Sequence, residues 1–325
     1  MIVRWGLDAL PGVLDELAVS RPLLITTERW RNVDLPVFDR FHGARPHAEI
    51  AGVAAACEAA KGADGLIALG GGSVIDTAKA VSGKTCLPVL CIPTTYSGAE
   101  WTAGYGIRDA PARTKTGGTG ARTVAIVYEP EFTLSLPVRE SAGSAMNSLA
   151  HCAEALYTVD RTAATDSAAV AGAPLISRWL PVVAGPGHDL DLEARRHLLE
   201  GAMHAGTALR AGVGLGHAIA QELGARYGLP HGTMNAVSLP PTLRFNSIAA
   251  AGELARFGEA IGSADPVARV SELAALAGPS RLRDYEVPRQ DLLELAQLIA
   301  ERPAAKGNPR PATPEAVLAL LGEMW

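Results

Sequence analysis

The sequence predicts a two-part chain, an α/β half built on a parallel sheet followed by an all-helical half. Three observations predict it. Short apolar runs that read as buried strands alternate with helical segments through the first 137 residues. From Ser141 onward nearly every segment carries helical periodicity, and Pro137 stands at the change of regime. Strands alternating with helices make a parallel sheet covered on both faces. The expected domains are therefore residues 1–137 and 138–325. A cleft between them is the expected active site.

The elements follow in order. Ile2 to Trp5 reads as a short strand, and Pro11 to Ala18 as an amphipathic helix with Val13, Leu14 and Leu17 on one face. Pro22 to Thr26 is a buried strand, and a further short strand is expected near Val37 and Phe38. His47 to Lys61 is an Ala-rich helix. Leu66 to Leu69 is a strand feeding three glycines, and Ser73 to Val81 is the helix behind them. Leu87 to Ile92 is a strand closed by Pro93, Thr94 and Thr95. Thr102 to Arg122 reads as a loop or hairpin, and Val124 to Tyr128 as the last strand. Helices are then expected over 141–157, 163–183, 192–210, 213–227, 233–247, 250–261, 266–277, 289–300 and 314–324.

Composition bounds the function. Apolar residues make 48% and charged residues 19% of the chain, the balance of a globular protein with a substantial core. A formal net charge of −5 argues against a general nucleic-acid binder, while leaving room for a local basic pocket. No run of about 18 uninterrupted apolar residues occurs, so no membrane span is expected. MIVRWGLDAL lacks the apolar run of a signal peptide. Cys57, Cys86, Cys91 and Cys152 form no CxxC pair and read as reduced, mostly buried thiols of a cytoplasmic protein.

Two groups of residues carry chemistry. The first is LIALGGGSVIDTAK, residues 66–79. Gly70, Gly71 and Gly72 let backbone N–H groups approach a ligand closely, because no Cβ intervenes. The following helix points its positive end at the same place. The implied ligand is a phosphate or pyrophosphate. Ser73 and Asp76 have the spacing of a capping box. Thr27, Gly70 to Ser73, and Thr94 with Thr95 all stand at carboxyl ends of predicted strands, where ligands of such sheets bind.

The second group lies in the helical half. Asn147 and His151 are four residues apart and share a helix face. His217 stands early in a later helix, and His231 follows Pro230. Three histidines can hold Zn²⁺ or Fe²⁺, or they can line a substrate pocket as donors of hydrogen bonds and protons. Asn147 is a neutral amide where a metal site favours a carboxylate. His188 and His204 show no such pairing and are assigned to structure or surface.

The segments GGGSVIDTAK, PTTYSGAEWT, VYEPEFTLSLP, MNSLAHCAEALY, GLPHGTMNAVSLP and NPRPATPEAVLALL, taken in order, resemble the iron-containing alcohol dehydrogenase superfamily, which shares its fold with dehydroquinate synthase. Within it, TTYSGAE followed by YGIRD, and Asn147 at the usual metal-binding aspartate, look like maleylacetate reductase. The resemblance implies an N-terminal dinucleotide-binding domain and a C-terminal substrate or metal-site domain. It implies a pyrophosphate on Gly71, Gly72 and Ser73, with Gly70 and Asp76 in the same motif. Thr94 and Thr95 fall on the adenosine side with Ser97 nearby, and Lys115 matches a basic residue near the cofactor. Relatives with aspartate at the position of Thr27 repel a 2′-phosphate, so NADPH is expected to be admissible beside NADH, although Glu28 is adjacent. The family's metal ligands map onto Asn147, His151, His217 and His231, so the first is lost and a metal is not expected to be required. Gln221 replaces a histidine that many relatives offer as proton donor, which leaves His151, His217 and His231 as candidates, with Tyr96 outside them. The implied reaction is hydride transfer to maleylacetate, giving 3-oxoadipate, in aromatic-compound degradation. Positive charge for this dianion would come from protonated histidine or from residues such as Arg108, Arg113, Lys115, Arg139 and Arg244. Two alternatives are a metal-dependent alcohol dehydrogenase acting on a small aldehyde or ketone, and a catalytically silent nucleotide-binding relative. The expected assembly is a homodimer.

Overall fold

The computed structural model describes residues 1–185 and 191–325, and His188 lies outside the described residues. The chain divides into two compact units, Met1–Ser135 and Leu136–Trp325.

The first unit contains strands β1 (Ile2–Trp5), β2 (Pro22–Ile25), β3 (Asp39–Phe41), β4 (Gly65–Gly70), β5 (Pro88–Pro93), β6 (Tyr105–Asp109), β7 (Thr114–Gly118) and β8 (Arg122–Tyr128). Helices α1 (Leu10–Glu16), α2 (Ile50–Ala59) and α3 (Gly72–Thr85) connect them. Six strands form one sheet in the order β1-β8-β5-β4-β2-β3, and neighbouring strands run parallel throughout. β6 and β7 form a separate antiparallel hairpin. β2 and β4 are buried along their whole length, which is why they read as unbroken apolar runs rather than alternating ones. Leu24, Ile67, Leu69, Leu90, Ile92 and Val127 pack on one face with Leu10, Val13 and Leu14 of α1.

Several boundaries differ from the sequence expectation by a few residues, among them the starts of β8 at Arg122 and of the helices at Val138, His231 and Leu292. Three in the first unit have a visible local cause. The strand expected at Val37 and Phe38 forms at Asp39–Phe41, because pairing with β2 opens only where Phe38 N–H donates to Pro22 O, at 2.9 Å. α2 starts at Ile50 rather than His47, since His47 and Ala48 hold left-handed backbone, with φ of 63° and 50°. α3 runs past Val81 to Thr85 and closes on Cys86 in the left-handed region. Cys91 and Cys152 are buried, Cys57 is half-buried and Cys86 is exposed, so the last departs from the expected burial.

The second unit is helical: α4 (Val138–Ala155), α5 (Ala163–Ala184), α6 (Leu192–Ala208), α7 (Leu215–Tyr227), α8 (His231–Asn246), α9 (Ala251–Ala260), α10 (Pro266–Ala275), α11 (Leu292–Glu301), α12 (Pro303–Lys306) and α13 (Pro314–Met324). α4 packs against α5, α6 and α8, and α7 packs against α8. Leu215, Ile219, Leu223, Met234, Leu295, Ile299 and Leu321 belong to one apolar core cluster of this unit. Among the described residues α5 alone has the length and composition to cross a membrane. Its buried residues, among them Ala169, Ile176 and Leu180, mark it as a core helix, and it packs on α4 and α6.

Candidate functional site

The first unit places its candidate residues at the carboxyl edge of the sheet. Gly70 ends β4, and Gly71 caps α3 without any side-chain hydrogen bond. Val74 N–H bonds Gly71 O at 3.0 Å, and the Gly72 and Ser73 N–H groups of this 14-residue helix have no side-chain cap, at the end where its dipole is positive. Packing demands the glycines. A Cβ on Gly70 would lie 2.5 Å from Val74 Cγ2, and one on Gly71 would lie 2.8 Å from Thr95 Cγ2. Gly72 faces the Ser97 hydroxyl, 3.3 Å from where its Cβ would stand. Thr94 N–H donates to Gly70 O at 3.1 Å, and Thr95 Oγ1 lies 3.4 Å from Ser97 Oγ. Gly70 to Ser73, Thr94, Thr95 and Ser97 therefore form one wall.

The capping box does not form. The helix begins at Gly72, two residues earlier than Ser73 as cap requires, and Ser73 Oγ accepts instead from His47 N–H at 2.9 Å. Asp76 Oδ2 accepts from Gly106 N–H of the hairpin at 3.2 Å, while Oδ1 lies 3.4 Å from the buried Lys79 Nζ. Lys115 also lies on the hairpin, its side chain over Gly106. Asp76 and Lys115 thus stand together against β6 rather than on the glycine wall.

Thr27 follows β2 and lines a cleft of about 760 Å³ with Glu28, Arg29 and the stretch Arg40 to Pro46. The sequence reading passed over this basic stretch, RFHGARP, because it has no helical or strand period.

The second unit gathers all four candidates of the helical half. α4 and α8 touch backbone to backbone, since a Cβ on Gly232 would lie 2.5 Å from Gly143 O. This close approach lets Asn235 Nδ2 donate to Asn147 Oδ1 at 2.7 Å. Asn235 Nδ2 also lies 3.1 Å from His231 Nε2, and Asn147 Nδ2 lies 3.1 Å from His151 Nε2. Amide nitrogens only donate, so both imidazole Nε2 atoms accept, and each ring carries its proton on Nδ1. The His151 and His217 rings stack at 4.3 Å, with His231 5.7 Å from His217.

Glu154 completes the group. It is fully buried, and its carboxylate accepts from His217 Nδ1–H at 2.6 Å, Gly214 N–H at 2.7 Å and His217 N–H at 3.3 Å. This fixes the His217 ring and commits Nδ1, leaving Nε2 as the atom that can exchange a proton. His217 Nε2, His151 Nδ1 and Asn235 Oδ1 are buried and have no hydrogen-bond partner among the described residues. Each such atom left without a partner costs about 1–3 kcal/mol, which makes this cluster the candidate site of the second unit. Burial, with the His217 and His231 rings close by, lowers the His151 pKa well below its ordinary value, so His151 is neutral.

A divalent cation does not fit this donor set. The lone pairs of His151 and His231 that would bind it already face amide N–H groups, and Asn147 brings no charge. No three His, Cys, Asp or Glu side chains among the described residues are arranged to hold one ion. Gln221 Oε1 accepts from Arg302 Nη1 at 3.4 Å, and Arg302 donates through Nη2 and Nε to Glu222 Oε2 at 2.6 and 2.9 Å. Tyr96 is fully buried in the first unit.

Sequence reasoning missed Glu154 and Asn235. Both carried a signal. Glu154 is three residues beyond His151 on the same helix face, and His231 with Asn235 repeats the four-residue spacing of Asn147 with His151.

Comparison with known proteins supplies the context. A profile described as iron-containing alcohol dehydrogenase matches residues 6–128, and one described as Fe-containing alcohol dehydrogenase family, C-terminal, matches residues 141–325. Maleylacetate reductase from Pseudomonas knackmussii is 34% identical over 334 aligned positions, covering 98% of this chain and 93% of its own. The crystal structure of maleylacetate reductase from Agrobacterium tumefaciens superposes with a TM-score of 0.89 at 32% identity, covering 100% of this chain and 95% of that one. A putative alcohol dehydrogenase from Ralstonia eutropha JMP134 gives 0.91 at 31% identity, with coverage of 100% and 95%. Profiles that together span both units, and relatives matched nearly end to end, make this chain a member of the iron-containing alcohol dehydrogenase family of oxidoreductases.

Proposed function

We propose that the protein is an NAD(P)H-dependent reductase of the maleylacetate reductase type, reducing the activated C=C of an unsaturated oxo-dicarboxylate, maleylacetate, to give 3-oxoadipate. The observation that carries this reading is the buried Glu154–His217 pair within an uncharged Asn/His network. The dinucleotide is assigned to the first unit. Its pyrophosphate would rest on the N–H groups of Gly71, Gly72 and Ser73, with Thr94, Thr95 and Ser97 alongside. A bound reduced nicotinamide supplies the hydride.

The residues of the second unit are assigned to proton delivery and charge. Hydride addition to a C=C conjugated with an oxo group leaves an enolate, which needs a hydrogen bond at oxygen and a proton at carbon. His217, doubly protonated with Nδ1–H held by Glu154, is assigned to give the proton from Nε2 to carbon and to regain one from solvent before the next turnover. His151 Nδ1–H is assigned to the enolate oxygen, as a neutral, buried donor without another partner. Asn147 holds His151 in that tautomer without adding a negative charge, which a dianionic substrate would meet as repulsion. The same reading carries a cytoplasmic location and a homodimer.

The test is oxidation of NADH and NADPH with maleylacetate and with simple aldehydes, with and without chelator, beside elemental analysis. Turnover of maleylacetate, unaffected by chelator and with substoichiometric metal, is the expected result. No turnover at millimolar maleylacetate overturns the substrate, and stoichiometric iron or zinc with chelator-sensitive activity overturns the metal-free site.

A further inference from the structure

We propose that Asn308 is a positioning residue for the proton-transfer step: it holds the first turn of α7, and with it His217, in place. The inference rests on the reductase reading above, in which His217 gives the proton. It concerns the NPRP segment, residues 308–311, to which that reading gives no part.

His217 is the third residue of α7, so the start of that helix sets where its ring stands. α5, α6, α10 and α13 each begin behind a Thr or Asp whose side chain accepts from the N–H three residues on. α7 begins behind Gly214, which has no side chain to do this. Glu154 occupies the space. A Cβ on Gly214 would lie 3.2 Å from Glu154 Cδ, and one on Gly216 would lie 2.9 Å from Glu154 Oε1. Three N–H groups at this start are satisfied instead by side chains distant in the sequence. Glu154 accepts from Gly214 N–H and His217 N–H, and Asn308 Oδ1 accepts from Leu215 N–H at 3.4 Å.

Asn308 is itself held firmly. It is buried, and its amide uses its full hydrogen-bonding capacity. Nδ2 donates to Asn246 Oδ1 at 2.7 Å and to Arg310 O at 2.8 Å. Oδ1 accepts from Asn246 Nδ2 at 2.9 Å as well as from Leu215 N–H. Arg310 O can only accept and Leu215 N–H can only donate, so the amide has one orientation. The backbone around it is restricted too. Pro309 and Pro311 lock their own φ and disfavour the helical region for Asn308 and Arg310 before them. Arg310 Nη1 donates to Phe245 O at 2.9 Å, with the guanidinium 4.1 Å from the centre of the Phe245 ring. The segment thus joins the last turn of α8 to the first turn of α7, and these two helices carry His231 and His217. A displacement of about 1 Å in a reacting group can cost about 100-fold in rate, even when its cause lies away from the chemistry.

The experiment uses the whole protein with maleylacetate and reduced nucleotide, and compares the wild type with Asn308→Ala, Arg310→Ala and Leu254→Ala. It reads kcat, the nucleotide dissociation constant, the urea midpoint and the ratio of kcat in H₂O to kcat in D₂O. Asn308→Ala should lower kcat by about 10- to 100-fold and leave the nucleotide dissociation constant within about twofold. It should also raise the isotope ratio above that of the wild type, because transfer from a misplaced donor becomes the slow step. Arg310→Ala loosens the segment from outside the buried amide pair. It should act in the same direction by up to about tenfold, and it stands in for Asn308→Ala if that variant does not fold. Leu254 is buried on α9, which packs on α5 and α10. Leu254→Ala should lower the urea midpoint while keeping kcat and the isotope ratio within about twofold of the wild type. A folded Asn308→Ala with normal kcat, or a fall in kcat with an unchanged isotope ratio, overturns the positioning role and leaves the reductase reading standing. Equal falls in kcat for Leu254→Ala and Asn308→Ala do the same. No turnover of maleylacetate by the wild type overturns the reductase reading, and this inference with it.

Discussion

Glu154 accepts three hydrogen bonds while fully buried, and that decides what its replacement does. Glutamine is isosteric but offers an N–H to at least one of three groups that are themselves donors. Glu154→Gln should therefore lower stability by about 1–3 kcal/mol and release the His217 ring from its single tautomer. Since Glu154 is a positioning residue, the loss should fall on kcat, by about 100-fold, with the nucleotide dissociation constant unchanged. Steady-state kinetics, nucleotide titration and urea unfolding on the same preparation check this. A folded variant with normal kcat would remove His217 as the proton donor. Asn147 shows how far one residue can be read alone. Its amide identity, visible in the sequence, argued against a metal. Its partner Asn235 lies 88 positions away, and only the crossing of α4 and α8 at Gly143 and Gly232 joins them.

At the scale of elements, the strand, turn and helix from Gly65 to Thr85 separate two uses of glycine. Gly70 is required by packing, because an added methyl would overlap the Val74 side chain. Gly70→Ala should cost about 1–3 kcal/mol of stability, from overpacking in a fully buried strand end. Gly72 stands in the first turn of α3 and meets only the flexible Ser97 hydroxyl closely. Gly72→Ala should leave the unfolding midpoint nearly unchanged and weaken NADH and NADPH alike by about tenfold, since the methyl stands where phosphate approaches the backbone. Equal nucleotide affinity in Gly72→Ala and wild type would move the pyrophosphate off this turn. The late start of α2 belongs to this scale too. Its Ala-rich sequence favours helix from His47, but the His47 N–H bond to Ser73 Oγ and the left-handed φ of His47 and Ala48 override that propensity.

For the whole molecule, each unit carries its own apolar core, one under the sheet and one among α7, α8, α11 and α13. The helical unit also buries His151 in its neutral form, with its pKa lowered by burial and by the neighbouring histidines. The unfolded chain, with an ordinary value of about 6.5, then binds more protons than the folded one as the solution turns acid. Stability contributed by the neutral His151 is present above that value and lost as pH falls through it. The urea midpoint should drop between neutral and mildly acid pH, and His151→Gln should flatten part of that drop. An unchanged slope in the variant would mean that His151 is accessible to protons in the folded state. The alternation of strand and helix, the helical half, the glycine turn and the shared face of Asn147 and His151 were legible in the sequence, because periodicity, glycine runs and helix-face spacing are local properties. The sheet order that brings the ends of β2 and β4 side by side, and the partnership of Glu154 with His217 across 63 residues, come from the folded chain. A carboxylate on a helix face reads as solvated until the fold shows which side of that helix is buried, and here burial turns Glu154 into the residue that orients His217.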